Sequence, residues 1–509
     1  MAGLLAGIDI GTSGVKAGVF SADGALVGLG RASHSVKTPR PGWAETDPAE
    51  WWRGVVEALA GACESGGVTP ADICAIALSV LYPAIAPLDA DGNALGPSIL
   101  YCDGRSLAQV DTIANEFGRD EYESLTGNRL VPGTCAATSM RWLRDEQADV
   151  YSRAAVLASA NTYVVAKLAG TESGFVTDPT NAALSGLVEI ADPWAWSEEI
   201  CRRAGVSLEK LPRIALPDEV VGAVSRAAAQ ETGLAPGTPV VVGCGDAIAG
   251  AFGAGARAGG PAVLVAGSSD CLSVPAPAPR PGTGWVNCAW VERGVWTATG
   301  TTTSSGVSVV WFARELLGGG EGATARMAEL AATSPPGASG LLYAPYLQGE
   351  RTPLWDPLAR GAFVGLTSAT TRADMARAVL EGTAFALRQA ASRLDEIAGR
   401  HVDEIRAVGG PTQNAVWNRI KVDVLGRPLN ILRFQETGVL GVALLAGVGA
   451  GVYGSLDEAA AVTASLESDE VAPDDANTRI YDELFALYEE IHPRAKGIMH
   501  GLGSITRNG

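Results

Sequence analysis

The sequence predicts an α/β protein with a duplicated core, on three observations. Apolar runs of strand length alternate with amphipathic stretches of helix length along most of the chain. Two hydroxyl-rich turns, Gly11-Thr12-Ser13-Gly14 and Gly267-Ser268-Ser269-Asp270, each lie between two apolar runs, as two copies of one strand-turn-strand device would. At 509 residues the chain exceeds what one compact core serves, and a composition shift near Pro236 suggests a division into domains 1–244 and 245–509.

The first half opens with the stretch Gly7 to Phe20, an apolar run carrying Asp9, the Gly11–Gly14 turn, and a return run with Lys16 near its start. Ser21-Ala22-Asp23-Gly24 is a turn signal, and Ala25 to Val36 completes a three-stranded antiparallel meander. Asp47 is placed to cap a helix that starts at Pro48 and runs to about Cys63. Ile73 to Ser79 and Ala84 to Leu88 read as strands, with Val80-Leu81-Tyr82-Pro83 as the loop between them. A further strand ends in Asp103-Gly104-Arg105, an acid and a base two residues apart, for which a local ion pair is the plain explanation. Ser106 to Gly170 is largely helical in pattern, and Thr177-Asp178-Pro179-Thr180-Asn181 reads as a polar loop.

The second half is announced by Val240-Val241-Val242, which ends in Gly243-Cys244-Gly245-Asp246 and a small-residue helix from Ala247 to Ala256. Ala262 to Ala266 and Cys271 to Val274 flank the second hydroxyl-rich turn. A helix follows Gly306; Gly349 to Pro357 is a loop dense in prolines and charges; Arg372 to Ala398 has the period of one long helix. Ile405 to Val408 is a strand opening into Gly409-Gly410-Pro411-Thr412-Gln413-Asn414 and a helix from about Ala415. Gly438 to Val452 and Ile480 to Ile491 are also helical in pattern.

Composition excludes several classes of function. With 38 basic against 56 acidic residues the net charge is −18, and no basic patch stands out, so neither nucleic acid nor an anionic membrane is an expected partner. The eight cysteines form no C-x-x-C pair and read as reduced, mostly buried thiols. The four histidines lie away from cysteines, acid clusters and the Gly-Ser turns, which removes support for zinc and for Ser-His or Cys-His chemistry. Met1 to Leu5 lack the basic start and long apolar core of a signal peptide, so a cytoplasmic protein is expected. Val439 to Gly454 is too short to span a bilayer. Oligomeric state is left open, a homodimer included.

What remains is a set of parts suited to phosphoryl transfer. The dipeptide Gly-Lys needed for a Walker A loop is absent, and Gly243-Cys244-Gly245 meets Ile248 where the dinucleotide fingerprint needs glycine. Two hydroxyl-rich hairpins can offer backbone N–H groups and hydroxyls to phosphate, while two isolated acids at strand ends, Asp9 and Asp246, can serve a metal and an attacking hydroxyl. Asp246 equally suits the N-cap of the helix after it, and Lys16 an exposed strand position.

Taken together, Gly7 to Phe20, Gly243 to Gly250, Gly267 to Ser269 and Val408 to Asn414 resemble, in order, the first phosphate, catalytic-acid, second phosphate and adenosine motifs of the FGGY carbohydrate kinases. Trp43-x-Glu-x-Asp-Pro, Asp103-Gly104-Arg105, Gly349 to Pro357 and Gly361 to Leu366 are similar to further segments of that family, with xylulokinases the most similar branch. The resemblance implies a two-domain ribonuclease-H-like fold (the sugar kinase/actin/Hsp70 fold) and transfer of phosphate from ATP, with Mg²⁺, to a sugar or polyol. It implies Asp246 as general base and Asp9 as the residue orienting Mg²⁺ through water, with Asp246 also near the metal. Gly11, Thr12, Ser13, Lys16, Gly267 and Ser268 would attend the phosphates, and Gly306, Gly410 and Asn414 the adenosine. Val310 stands where the family often has a polar nucleotide contact. Leu81, Tyr82 and Asp103, with Asp178 and Asn181 behind them, would face the substrate. The overall resemblance implies a ketopentose such as xylulose, but Leu81-Tyr82 replaces the Met-His pair usual in xylulokinases and makes the sugar contact different, so another ketose, a glycerol-like or erythritol-like polyol, or a non-kinase ATPase of the same fold stand as alternatives.

Overall fold

A computed structural model describes residues 3–172 and 174–507, so Met1 and Ala2 of the segment read against a signal peptide lie outside the described residues. The meander forms as expected: Leu4–Ile10, Gly14–Phe20 and Leu26–Ser33 pair antiparallel. Leu4–Ile10 then pairs parallel with Ile73–Val80, and that strand with Pro239–Gly245. The same order recurs in the second half. Ala262–Ala266, Asp270–Ala276 and Trp296–Thr301 are the antiparallel members, and Ile405–Val408 and Leu429–Leu432 extend the sheet in parallel from the first of them. Each core is thus one meander plus two parallel strands, which is the duplication that the two turns pointed to. Edge strands added antiparallel complete them, Val220–Ala223 in the first sheet and both Val286–Ala289 and Ser468–Val471 in the second.

Helix Pro48–Gly66 shows why the first sheet is covered where it is. The Asp47 carboxylate accepts the Ala49 N–H at 3.0 Å, and Gly67, at φ +63°, closes the far end on the carbonyls of Cys63 and Glu64. Trp51, Val55, Ala58, Leu59 and Ala62 fall on one face and are fully buried against the meander. Burial at roughly 1.5–3 kcal/mol for each large apolar side chain outweighs the cap's ~1 kcal/mol. Helix Thr437–Gly449 is different, since ten of its residues are buried and no polar face exists. It lies between the halves, crossing helix Asp246–Gly253 so closely that a Cβ on Gly253 would stand 1.9 Å from the Thr437 carbonyl oxygen, and one on Gly441 2.0 Å from that of Ala249.

Two lobes grow from the cores. The first carries a four-stranded sheet of Glu45–Thr46, Ser98–Leu100, Ala84–Leu88 and Val156–Ala158 with helices packed on it, so the Ser106 to Gly170 stretch contains one strand among its helices. In the second lobe the long helix expected over Arg372 to Ala398 ends at Ala391 and restarts as Leu394–Ala398. The chain ends in helices Asp475–Glu489 and Ile491–Arg507. All eight cysteines are free, and no helix among the described residues is long and apolar enough to cross a membrane.

Candidate active site

Asp9 sits at the end of the first strand, opposite Lys16 on one neighbour and Ser79 on the other. The Ser79 hydroxyl donates to Asp9 Oδ1 at 2.6 Å. Burial pushes the Asp9 carboxyl above the ordinary range, against the Ser79 hydrogen bond and the Lys16 charge, which pull it down. The Lys16 ammonium reaches Glu436 Oε2 at 3.0 Å, and Arg31 bonds the other oxygen of the same carboxylate. Glu436 precedes helix Thr437–Gly449, whose second residue, Gly438, would carry a Cβ 3.7 Å from Asp9 Cγ. The N-terminus of a second-half helix therefore faces the first-half carboxylate, a favourable end for negative charge.

Asp246 is the first residue of its helix, and Gly245 holds the capping position that the sequence equally allowed the aspartate. The Ala247 N–H donates to Asp246 Oδ1 at 2.7 Å. Burial, followed by the nearby charge of Asp9, pushes the Asp246 carboxyl up to about 7. The Tyr82 ring lies against the backbone just before it: a Cβ on Gly245 would stand 2.3 Å from Tyr82 Cε1, so only glycine fits there. Burial also raises the Tyr82 hydroxyl well above its ordinary value, with Cys288 and Asp246 adding to the shift.

The Gly245 N–H donates to Thr180 Oγ1 at 2.7 Å, and the Thr180 hydroxyl donates in turn to Asp178 Oδ1. Asp178 is fully buried and caps helix Pro179–Ser185, so the segment read as a loop is a helix start. Its other oxygen accepts the side-chain amides of Asn161 and Asn181 at 2.8 and 2.6 Å. Asp178 thus faces a threonine and two asparagines, and Asn181 keeps one buried oxygen without a partner. Asp103 forms the local ion pair: Arg105 donates to both its oxygens at 2.9 and 2.7 Å, and the Ala44 N–H adds a third bond. Arg105 also meets Glu45 at 2.7 Å and stacks 3.7 Å from the Trp43 ring centroid, which accounts for the Trp43-x-Glu motif. Leu81 is packed in the first core, its N–H on the Ile10 carbonyl.

Each turn closes on its own backbone. Gly11 N–H bonds the Gly14 carbonyl at 2.9 Å and Gly267 N–H that of Ser269 at 2.9 Å, leaving Ser13 and Ser268 exposed at the tips and Thr12 half-buried beside the first. In the second turn Gly306 and Val307 donate to the carbonyls of Gly267 and Ser268 at 3.1 and 3.2 Å, which anchors the turn on helix Ser305–Leu316. Asp270, just after the turn, pairs with the buried Lys421 ammonium at 2.7 Å and accepts the Ser305 hydroxyl. Gly306, Gly410 and Asn414 come together in one cavity of about 520 Å³, with Val309, Val310 and Trp417 on its walls. Such an apolar cavity with few polar groups suits a flat heterocycle. The Asn414 side-chain oxygen is itself occupied as the cap of helix Ala415–Leu425, accepting the Trp417 N–H at 3.0 Å.

Within the charged loop Gly349 to Pro357, Glu350 and Arg351 reach the second turn and the strand end beside it. Arg351 donates to Ser269 Oγ at 3.0 Å and to the Thr302 carbonyl at 2.8 Å. Glu350 Oε1 accepts the N–H groups of Thr303 and Arg351, whereas Oε2 is buried without a partner, and burial pushes the carboxyl up to about 7. The loop's density of charge was the only sign of this in the sequence. Among the described residues no group of three or more His, Cys, Asp or Glu could hold a metal. Asp9 and Asp246 nonetheless fit Mg²⁺, which binds through one or two carboxylates plus substrate phosphates, and whose charge would relieve the repulsion between these two buried acids.

Comparison with known proteins agrees across the chain. The model for the N-terminal domain of the FGGY family of carbohydrate kinases matches residues 4–253, and that for its C-terminal domain 262–450. The chain is similar to xylulose kinase of Bacillus subtilis, 29% identical over 99% of both chains. It is also similar to glycerol kinase of Citrifermentans bemidjiense, 30% identical over 88% of this chain and 90% of that one. The crystal structure of xylulose kinase from Rhodospirillum rubrum superposes with a TM-score of 0.87 at 29% identity, covering 98% of this chain and 100% of the other.

Proposed function

This chain belongs to the FGGY family of carbohydrate kinases, and on that premise we propose that it transfers the γ-phosphoryl group of ATP to a hydroxyl of a ketopentose such as xylulose. The observation that carries the proposal is Asp246, a buried carboxyl raised to about 7 between Asp9 and Tyr82. A base of that strength suits a reaction run near neutral pH. Asp246 accepts the proton of the sugar hydroxyl as its oxygen forms the new bond to phosphorus; the bond from phosphorus to the β,γ-bridging oxygen breaks and ADP leaves. Ser13 and Ser268, exposed at the tips of matching turns, with Gly11, Thr12 and Gly267, receive the phosphates from either side. Lys16 supports Asp9 electrostatically while bound to Glu436. The cavity at Gly306, Gly410 and Asn414 takes the adenosine. Bound at Asp9 and Asp246, Mg²⁺ would neutralise charge on the phosphate oxygens.

On the substrate side Tyr82 presents its ring and hydroxyl beside Asp246. Asp103 supports it indirectly, because its oxygens are taken by Arg105 and Ala44. Similarity to both xylulose and glycerol kinases keeps a second reading in view, another ketose or a polyol as acceptor. The functional division follows the first sheet, with 1–244 supplying Asp9, Tyr82 and one phosphate turn, and 245–509 supplying Asp246, the other turn and the adenosine cavity. Purified protein with Mg-ATP should release ADP with a ketopentose and more slowly with aldoses, polyols and glycerol. No acceptor-dependent release across that panel would sink the proposal. Asp246→Asn should keep ATP binding, read by calorimetry, while turnover falls by several orders of magnitude; survival of turnover would reassign the base.

A further inference from the structure

We propose that the seam between the first half's helical lobe and the edge of the second sheet is a separate ligand site for a neutral sugar or polyol. A cavity of about 270 Å³ opens there, and none of Asp9, Tyr82, Asp103 or Asp246 lines it. Its volume falls below the ~300–1,000 Å³ of pockets for drug-sized ligands, so the occupant is small.

One wall belongs to the second half. It carries the buried Trp285 and the half-buried Trp355, whose indole N–H is fixed on the Gly284 carbonyl at 2.6 Å. Trp355 is held at φ +47°, a left-handed conformation that a bulky residue rarely adopts, and that geometry sets where its ring stands. The facing wall belongs to the first half, from helix Arg119–Thr126 and the turn after it. Asp120 and Ser124 on that helix carry no side-chain hydrogen bond or ion pair among the described residues, whereas Arg129 is taken by Glu123 at 2.7 Å. The two tryptophans suit the C–H surfaces of a polyol, and the exposed Asp120 carboxylate and Ser124 hydroxyl on the facing wall suit its O–H groups. Asp120 and a Glu123 that already cancels Arg129 leave no net positive charge for a phosphate or carboxylate, so a phosphorylated sugar is disfavoured.

The walls come from different halves, and Asn128 and Asn287 stitch them together beside the cavity. An occupant would touch both halves at once. Trp355 also follows closely on Arg351, which holds Ser269 of the second phosphate turn, so occupancy of the seam can be felt at that turn.

The proposal does not depend on the kinase assignment and is tested by binding alone. Xylitol, glycerol and xylulose are titrated into the full chain without nucleotide, following tryptophan fluorescence and calorimetry. At least one probe should saturate a site that persists in Tyr82→Phe and Asp246→Asn. Ser124→Phe, which fills the cavity from an exposed helix position, and Asp120→Ala should each weaken it severalfold. The proposal is overturned if no probe saturates up to tens of millimolar, if binding survives both seam variants, or if it disappears with the cleft variants.

Discussion

Asp246 depends on the residue that holds the turn before it. Its turn is held by the Thr180 hydroxyl, which accepts the Gly245 N–H and donates to the buried Asp178. Thr180→Val keeps the volume and removes both bonds, letting the carboxylate drift from the attacking oxygen. Turnover should fall about 10- to 100-fold, the scale of loss for a small misplacement, with KM for ATP little changed and Thr180→Ser restoring most of it. Equal loss in both variants, or a matching rise in KM for ATP, would make Thr180 a packing residue only. Glu350 gives a different test. A carboxyl raised from 4.5 to about 7 binds its proton more tightly folded than unfolded. It therefore supports the fold fully below its unfolded pKa, and that support is lost as pH rises from 4.5 to about 7. Glu350→Gln retains an acceptor for Thr303 and Arg351 and offers N–H donors where Oε2 has no partner. Its melting temperature should exceed the parent's by a few degrees at about pH 8, a gain of about 1–2 kcal/mol, and converge on it at about pH 4. A gain that persists unchanged into acid would show that charge burial is not the cause.

At the scale of elements, the crossing of helices Asp246–Gly253 and Thr437–Gly449 fixes where Asp246 stands relative to the helix end that faces Asp9. A Cβ on Gly441 would stand 2.0 Å from the Ala249 carbonyl oxygen and 2.9 Å from the Gly253 nitrogen, both backbone atoms that cannot rotate away. Gly441→Ala should cost about 1–3 kcal/mol by denaturant unfolding, whereas Gly497→Ala should be neutral or stabilise by up to ~1 kcal/mol. The latter glycine sits in an exposed helix, and its added Cβ would meet nothing within 4 Å. Equal costs would mean the crossing tolerates separation. Which elements form was legible in the sequence wherever the cause is local: the Asp47-Pro48 helix start, the meander, the two turns and the Asp103–Arg105 pair all rest on residues close along the chain. The gathering of Gly306, Gly410 and Asn414 in one cavity is what the family resemblance implied. The supports of the site were not legible, because Thr180 meets Gly245 across 65 positions and Lys16 meets Glu436 across 420, and no spacing rule reaches so far. The break after Ala391 was missed because the apolar period continues through it.

At the scale of the whole molecule, the halves meet in two unlike ways. Where helix Thr437–Gly449 lies on the first sheet the contact is apolar and close, a Cβ on Gly7 standing 1.9 Å from the Val439 carbonyl oxygen, which suits a pivot. At the rim it is polar: Asn128 Nδ2 donates to the Asn287 carbonyl at 2.8 Å, the Asn287 N–H returns to Asn128 Oδ1 at 2.8 Å, and Asn287 Nδ2 reaches the Gly127 carbonyl at 2.8 Å. The Trp296 indole adds a bond to the Ile190 carbonyl at 2.6 Å. A cleft enzyme must open to exchange ADP and close to exclude water, and a rim of few hydrogen bonds, each worth about 0.5–1.5 kcal/mol net, can break and re-form within a turnover. Asn128→Ala removes two of these bonds without touching the cleft. Its population should shift toward open forms, seen as a larger radius of gyration in solution scattering, and KM for the sugar should rise roughly 3- to 10-fold while kcat stays within about twofold. An unchanged scattering profile and KM would mean that the apolar pivot and the Glu436 ion pairs hold the halves closed, and that the rim bonds follow closure instead of favouring it.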